Sequence, residues 1–308
     1  MVHSRGSRFA DHARPRPTCR ALRLALALAL VSPVSNGPLL SATPQAKVSA
    51  PTEKDLLATF KDAFDAKDPA ARAAALGTLG ADSRKLPDKG ASKRVAQALV
   101  LGLEDEELEV GQASVFQLGQ ERDVDTVIGA LGACLQAHLQ ELEHRVGKSD
   151  VRSSDYVERA SVVFGNGCRV LSNYRDDRSA TLLVGLLAAL PEESEKNDLA
   201  TRLMGSLAPS VLELGTLAAF ETAVKRIEDF DREAPGGAAH TLHDALTAAA
   251  KKASTTPPEW NEATPAAWQA WFEENKALFP KKLGRLTAPP KSEPAFPLPG
   301  LPGKSAGG

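Results

Sequence analysis

The residues able to do chemistry are few and scattered along this chain. His240 and His243 stand three apart with Asp244 adjacent, in a stretch of helical spacing. That spacing puts two imidazoles on one helix face, but a metal site needs at least a third converging ligand. No His-Glu-x-x-His segment and no Cys-x-x-Cys pair supplies one. Gly165-Asn166-Gly167-Cys168 could set a nucleophilic thiol on a turn, provided a basic neighbour lowered its pKa. Helical spacing continues through it into Val170 and Leu171, which reads better as a helix whose glycines permit a close crossing. His138, Glu141, Glu143 and His144 read as a solvated helix face. There is no Gly-x-x-x-x-Gly-Lys phosphate loop, Gly-x-Ser-x-Gly elbow or calcium loop. The sequence thus assigns no catalytic, cofactor-binding or metal-ligating residue, and reads as non-enzymatic.

The elements that would position these residues are all helical. Hydrophobic residues make up 43% of the chain and aromatics only 5%, with Ala and Leu dominant, which favours closely packed helices over sheets. Thr52 and Asp55 form a capping pair ahead of the stripe Leu56, Leu57, Phe60, Ala63 and Phe64. Asp68-Pro69 starts a second helix, with Gly80 as its natural stop. The grammar repeats in Val95 to Leu103, the acidic turn Glu104 to Glu107, and Val110 to Leu118 before Gly119. Leu79-Gly80 and Leu118-Gly119 are 39 residues apart, near a helical-hairpin period of about 40. A longer pair follows, Val124 to Leu142 and Tyr156 to Tyr174, joined by a polar loop. Ala180 to Leu190, Asn197 to Leu207, Ser210 to Ile227 and His240 to Lys252 complete the series. Thr264-Pro265 opens a last helix with Trp268, Trp271 and Phe272 on one face, a spacing that predicts burial against the preceding helices.

The two ends read differently from the body. Arg5, Arg8, Arg14, Arg16, Arg20 and Arg23 precede the apolar run Leu24 to Val31 and then small residues. That is the pattern of a cleaved export signal, too short in its apolar run to span a bilayer comfortably. Residues 1–46 are read as signal and linker, 47–255 as the helical domain, 256–284 as the Trp-rich terminal helix, and 285–308 as a disordered Pro/Gly-rich tail. Beyond residue 42 the body carries 31 basic and 38 acidic residues. A mildly acidic body argues against a nucleic-acid binder and gives no electrostatic case for anionic membranes. Export would permit a disulfide between Cys134 and Cys168, and two buried thiols remain the alternative.

The stretch Val95 to Leu135, AQALVLGLEDEELEVGQASVFQLGQERDVDTVIGALGACL at its centre, resembles HEAT repeats. The likeness rests on the Gly-Leu end of one helix, the Asp105 turn, Val110 and Ala113 on the next, the Leu-Gly stop, and Asp123 opening the following unit. Gly111 departs from the pattern, standing where such helices often carry Arg. The segment Trp268 to Asn275 is similar to the tails of exported bacterial HEAT-repeat proteins of unassigned role. The resemblance implies an α-α superhelix, closed by a Trp-containing helix, in the periplasm or outside the cell. Repeats of this kind bury their apolar faces only by stacking and leave a long surface for a partner. The expectation is a protein-binding scaffold without cofactor. The alternatives are an enzyme or metal-binding protein using His240/His243 or Cys168, and a self-associating envelope component.

Overall fold

The computed structural model describes residues 52–86, 89–146, 148, 151–192, 198–230, 236–260 and 264–285. The residues read above as signal and linker, and those read as a tail after Arg285, lie outside the described residues. The described residues form one compact unit with its own core.

Among the described residues the chain is all-α, with eleven helices and no strand. These are α1 (Glu53–Phe64), α2 (Pro69–Ser83), α3 (Lys89–Val100), α4 (Leu108–Leu118), α5 (Val124–Arg145) and α6 (Val151–Asn173). They continue as α7 (Asp177–Ala189), α8 (Leu199–Glu213), α9 (Leu217–Arg226), α10 (Ala238–Lys252) and α11 (Pro265–Asn275). Short polar side chains start them. Thr52, Asp68, Asp123, Asp176, Thr216 and Thr264 each accept a hydrogen bond from a first-turn backbone N–H, relieving donors that lack an intrahelical partner. Thr52 and Asp55 close a full capping box.

The helices form two rows. Even-numbered α2, α4, α6, α8 and α10 pack successively on one another, and odd-numbered α1 to α11 do the same beside them. Apolar faces meet between the rows, where Leu76, Leu99, Leu118, Leu131, Leu135, Phe164 and Leu171 are fully buried. Tyr174 is also fully buried, and its hydroxyl donates to the Leu118 carbonyl at 3.0 Å.

Of two glycines expected to stop helices, Gly119 does and Gly80 does not. Gly80 lies inside α2, and a Cβ there would meet Gln117 Oε1 at 2.2 Å. It lets α4 approach α2. Gly119 caps α4 in right-handed conformation (φ −61°), with Val170 of α6 where a side chain would stand. Gly165 and Gly167 behave as expected: added Cβ atoms would meet Ser206 Oγ at 2.6 Å and Leu135 Cδ2 at 2.8 Å. α6 is therefore crossed closely by α8 on one side and α5 on the other.

α8 also departs from expectation, running to Glu213 through Pro209 rather than ending before it. Proline removes an N–H and crowds the carbonyl four residues back. Here that residue is Gly205, and both it and Pro209 are exposed, so water can serve the freed carbonyl.

α11 turns its aromatic face inward: Trp268 is fully buried, and Trp271 and Phe272 nearly so. After it the chain folds back as an extended strap, Phe279 to Arg285, across the N-termini of the odd row. Phe279 stacks on Phe220 with ring centroids 3.9 Å apart, and the Pro280 carbonyl accepts from the first N–H of α9 at 2.9 Å. Gly284, at φ +88° where only glycine is unstrained, offers its carbonyl to the first N–H of α7 at 2.9 Å. The Asp177 carboxylate accepts from Leu283 N–H at 2.7 Å, and Arg285 reaches Asp125 of α5 at 2.9 Å. The strap's carbonyls act on helix starts as capping side chains do.

Candidate functional site

A cleft of about 580 Å³ opens between the acidic turn Glu104–Glu107, the second half of α5 and the first half of α6. This is the size of a small-ligand or side-chain site. Leu103, Leu108, Ala160 and Val163 make an apolar floor. Tyr156 and His138 form one wall, and Glu104, Glu106, Glu107 and Asp155 stand exposed at the rim.

The turn is held firmly. Asp105 takes a two-pronged contact from Arg72 of α2, at 2.8 and 2.9 Å, and accepts the Glu107 N–H at 3.0 Å. Arg159 of α6 donates to the Glu106 carbonyl. The other lining cation, Arg145, pairs with Glu141 at 2.5 Å and lies over the Tyr156 ring, 4.5 Å from its centroid. Both guanidinium groups are thus engaged within the protein. Among the described residues, Glu104, Glu106, Glu107 and Asp155 form no salt bridge.

His138 is not on a solvated face as expected. It is half-buried, its Nδ1 is shut off from solvent without a hydrogen-bond partner, and its Nε2 lies 3.8 Å from Cys134 Sγ. Burial pulls its pKa below the usual imidazole value, so the ring is neutral at neutral pH. Burial, aided by the nearby Glu141 carboxylate, pushes the Tyr156 phenol up to about 12. A signal for this wall exists in the sequence. Cys134, His138, Glu141 and Arg145 fall at i, i+4, i+7 and i+11, one stripe along a helix.

The phenols give a direct check. The chain has two tyrosines, and burial raises Tyr174 as well. Absorbance titration of the folded protein is expected to show no phenolate near pH 10, where free tyrosine ionises, and to show it only near pH 12 or on unfolding. Because the folded pKa values exceed the unfolded ones, this contribution to stability is intact below about pH 10 and declines as pH rises towards 12. A phenolate signal at pH 10 in unfolding-free conditions would contradict the buried wall.

The other candidate residues do not converge. His243 is buried against α11, where Trp268 Nε1–H donates to its Nδ1 at 3.2 Å. With Nδ1 accepting, the ring proton sits on Nε2 and is donated to Thr247 Oγ1, 3.3 Å away. His240 is half-buried, edge-on to Trp260, with Asp244 at 3.7 Å. Its neighbour's nitrogens are already used, and no group of three metal-ligating side chains occurs among the described residues. Cys168 is fully buried, and burial pushes its pKa far up, opposite to an activated nucleophile. Cys134 and Cys168 are not joined by a disulfide: Leu135 lies against Gly167, yet Cys134 turns to His138 while Cys168 faces the core. No helix among the described residues is long and apolar enough to cross a membrane. No protein-family model, curated protein or solved structure matches this chain.

Proposed function

We propose that this protein is an exported, non-enzymatic scaffold of HEAT-like helical hairpins that binds another protein along its stacked helices. The two-row packing carries the reading. Each helix buries its apolar face chiefly on the next helix in its row and on a sequence neighbour, the arrangement by which repeat proteins build a continuous core and an extended outer surface. On this reading α11 and its tryptophans close the last pair. The arginine-rich start and short apolar run direct the chain to the periplasm or beyond. Fold alone does not fix function, so the cleft matters as the place where polar groups gather over an apolar floor. The test is to immobilise residues 47–308 and identify what is retained from an envelope extract of the native cell. One dominant protein held in stoichiometric amount is the expected result. Retention of nothing, or of metal or small solute alone, would overturn the reading.

A further inference from the structure

The cleft says more about the partner than the helix rows do. Its floor is apolar, its rim carries four carboxylates without salt bridges among the described residues, and its two cations are already engaged, Arg145 by Glu141 and Arg159 by the Glu106 carbonyl. We propose that it seats a lysine or arginine side chain from an extended basic segment of the partner protein. This rests on the scaffold reading above and names the chemistry of its partner.

The lining fits that occupant part by part. Long basic side chains bury their methylene stems on apolar surface while the charged head stays among polar groups. Leu103, Leu108, Ala160 and Val163 would take the stem, and the carboxylates of Glu104, Glu106, Glu107 and Asp155 the head. An anionic occupant would meet those carboxylates, and Arg145 and Arg159 are turned to Glu141, Tyr156 and the Glu106 carbonyl. A wholly apolar occupant would strip water from the rim carboxylates without replacing it. The neutral state of His138 adds no competing positive charge to the wall. The Arg72–Asp105 clamp and the Arg159 contact hold the rim in place before binding, so little ordering remains to be done. The acidic balance of the body beyond residue 42 would speed the approach of a basic segment.

The experiment uses fluorescein-labelled hexalysine and hexaglutamate, titrated into residues 47–308 and followed by anisotropy. Hexalysine is expected to bind and hexaglutamate not, with affinity falling as salt rises. The triple variant Glu104→Gln, Glu106→Gln, Glu107→Gln changes exposed side chains only. It should keep its urea midpoint and weaken hexalysine binding by about tenfold or more. A second variant, Leu108→Trp, fills the floor while leaving every carboxylate, and should weaken binding comparably. Equal binding by wild type and the triple variant would overturn the inference, as would full binding by Leu108→Trp, which would mean the charges act without the cleft. Absence of hexalysine binding at millimolar concentration would also overturn it. If a native partner is retained equally by wild type and the triple variant, this inference fails while the scaffold reading stands.

Discussion

A chain ending at Leu278 is expected to lose about 4 kcal/mol of unfolding free energy, although every helix of the unit is still present. Phe279 is nearly buried and stacked on Phe220, and removing such a ring costs roughly 3 kcal/mol or more. The same truncation strips the first N–H groups of α9 and α7 of their carbonyl partners, at about 1 kcal/mol for each hydrogen bond. Water takes up part of that loss, because helix starts near the surface can be hydrated. The Arg285–Asp125 contact is exposed and adds little. Urea unfolding followed by far-ultraviolet circular dichroism measures the sum, with Phe279→Ala separating the ring from the carbonyls. A truncated chain with the midpoint of the full unit would show that the strap lies on the helices without stabilising them.

The second large effect is at Trp268. Trp268→Ala is expected to destabilise by about 3–5 kcal/mol, the range for deleting a fully buried large aromatic. The ring meets His243 and Trp271 edge-on, at centroid distances of 5.4 Å each. It also supplies the proton that satisfies His243 Nδ1. Trp268→Phe keeps most of the apolar area, removes that proton and leaves a smaller void. It should cost about 1–3 kcal/mol, the penalty for an orphaned buried acceptor. Two losses of equal size would assign the whole effect to the hydrogen bond. A loss below about 1 kcal/mol for the alanine variant would mean α11 is not packed as described.

The helices were legible because their signals are local. Capping Thr and Asp residues and apolar stripes at i, i+3 and i+4 depend only on neighbours in sequence, and α1, α2, α5 and α11 start where those residues stand. The inward face of Trp268, Trp271 and Phe272 followed from the same spacing. The glycines were only half legible. A glycine near a helix end suits a left-handed cap and equally suits a close crossing, and the choice at Gly80 was made by Gln117, 37 residues away on another helix. The expected end at Leu207 fell short of Glu213 because Pro209 faces solvent, where its cost inside a helix is small. The strap had no periodicity to read. Its bonds use backbone carbonyls and two carboxylates more than 100 residues distant, information that spacing does not carry. The cleft was half visible. Its rim was recognised as an acidic turn, but His138 was read with Glu141, Glu143 and His144 as a wet helix face, because the covering by α6 and the turn comes from residues distant in sequence.

Cys168 makes the molecule its own clock. Its sulfur sits with no exposed surface where α6 passes between α5 and α8, and burial keeps it in the unreactive thiol form. A water-borne disulfide reagent can therefore reach it only when those three helices part. In residues 47–308, which lack Cys19, and with Cys134 replaced by Ser, the colour released by such a reagent would count openings at the middle of the helix rows. At low reagent the rate would follow the equilibrium population of the open form, and at high reagent it would level off at the rate of opening itself.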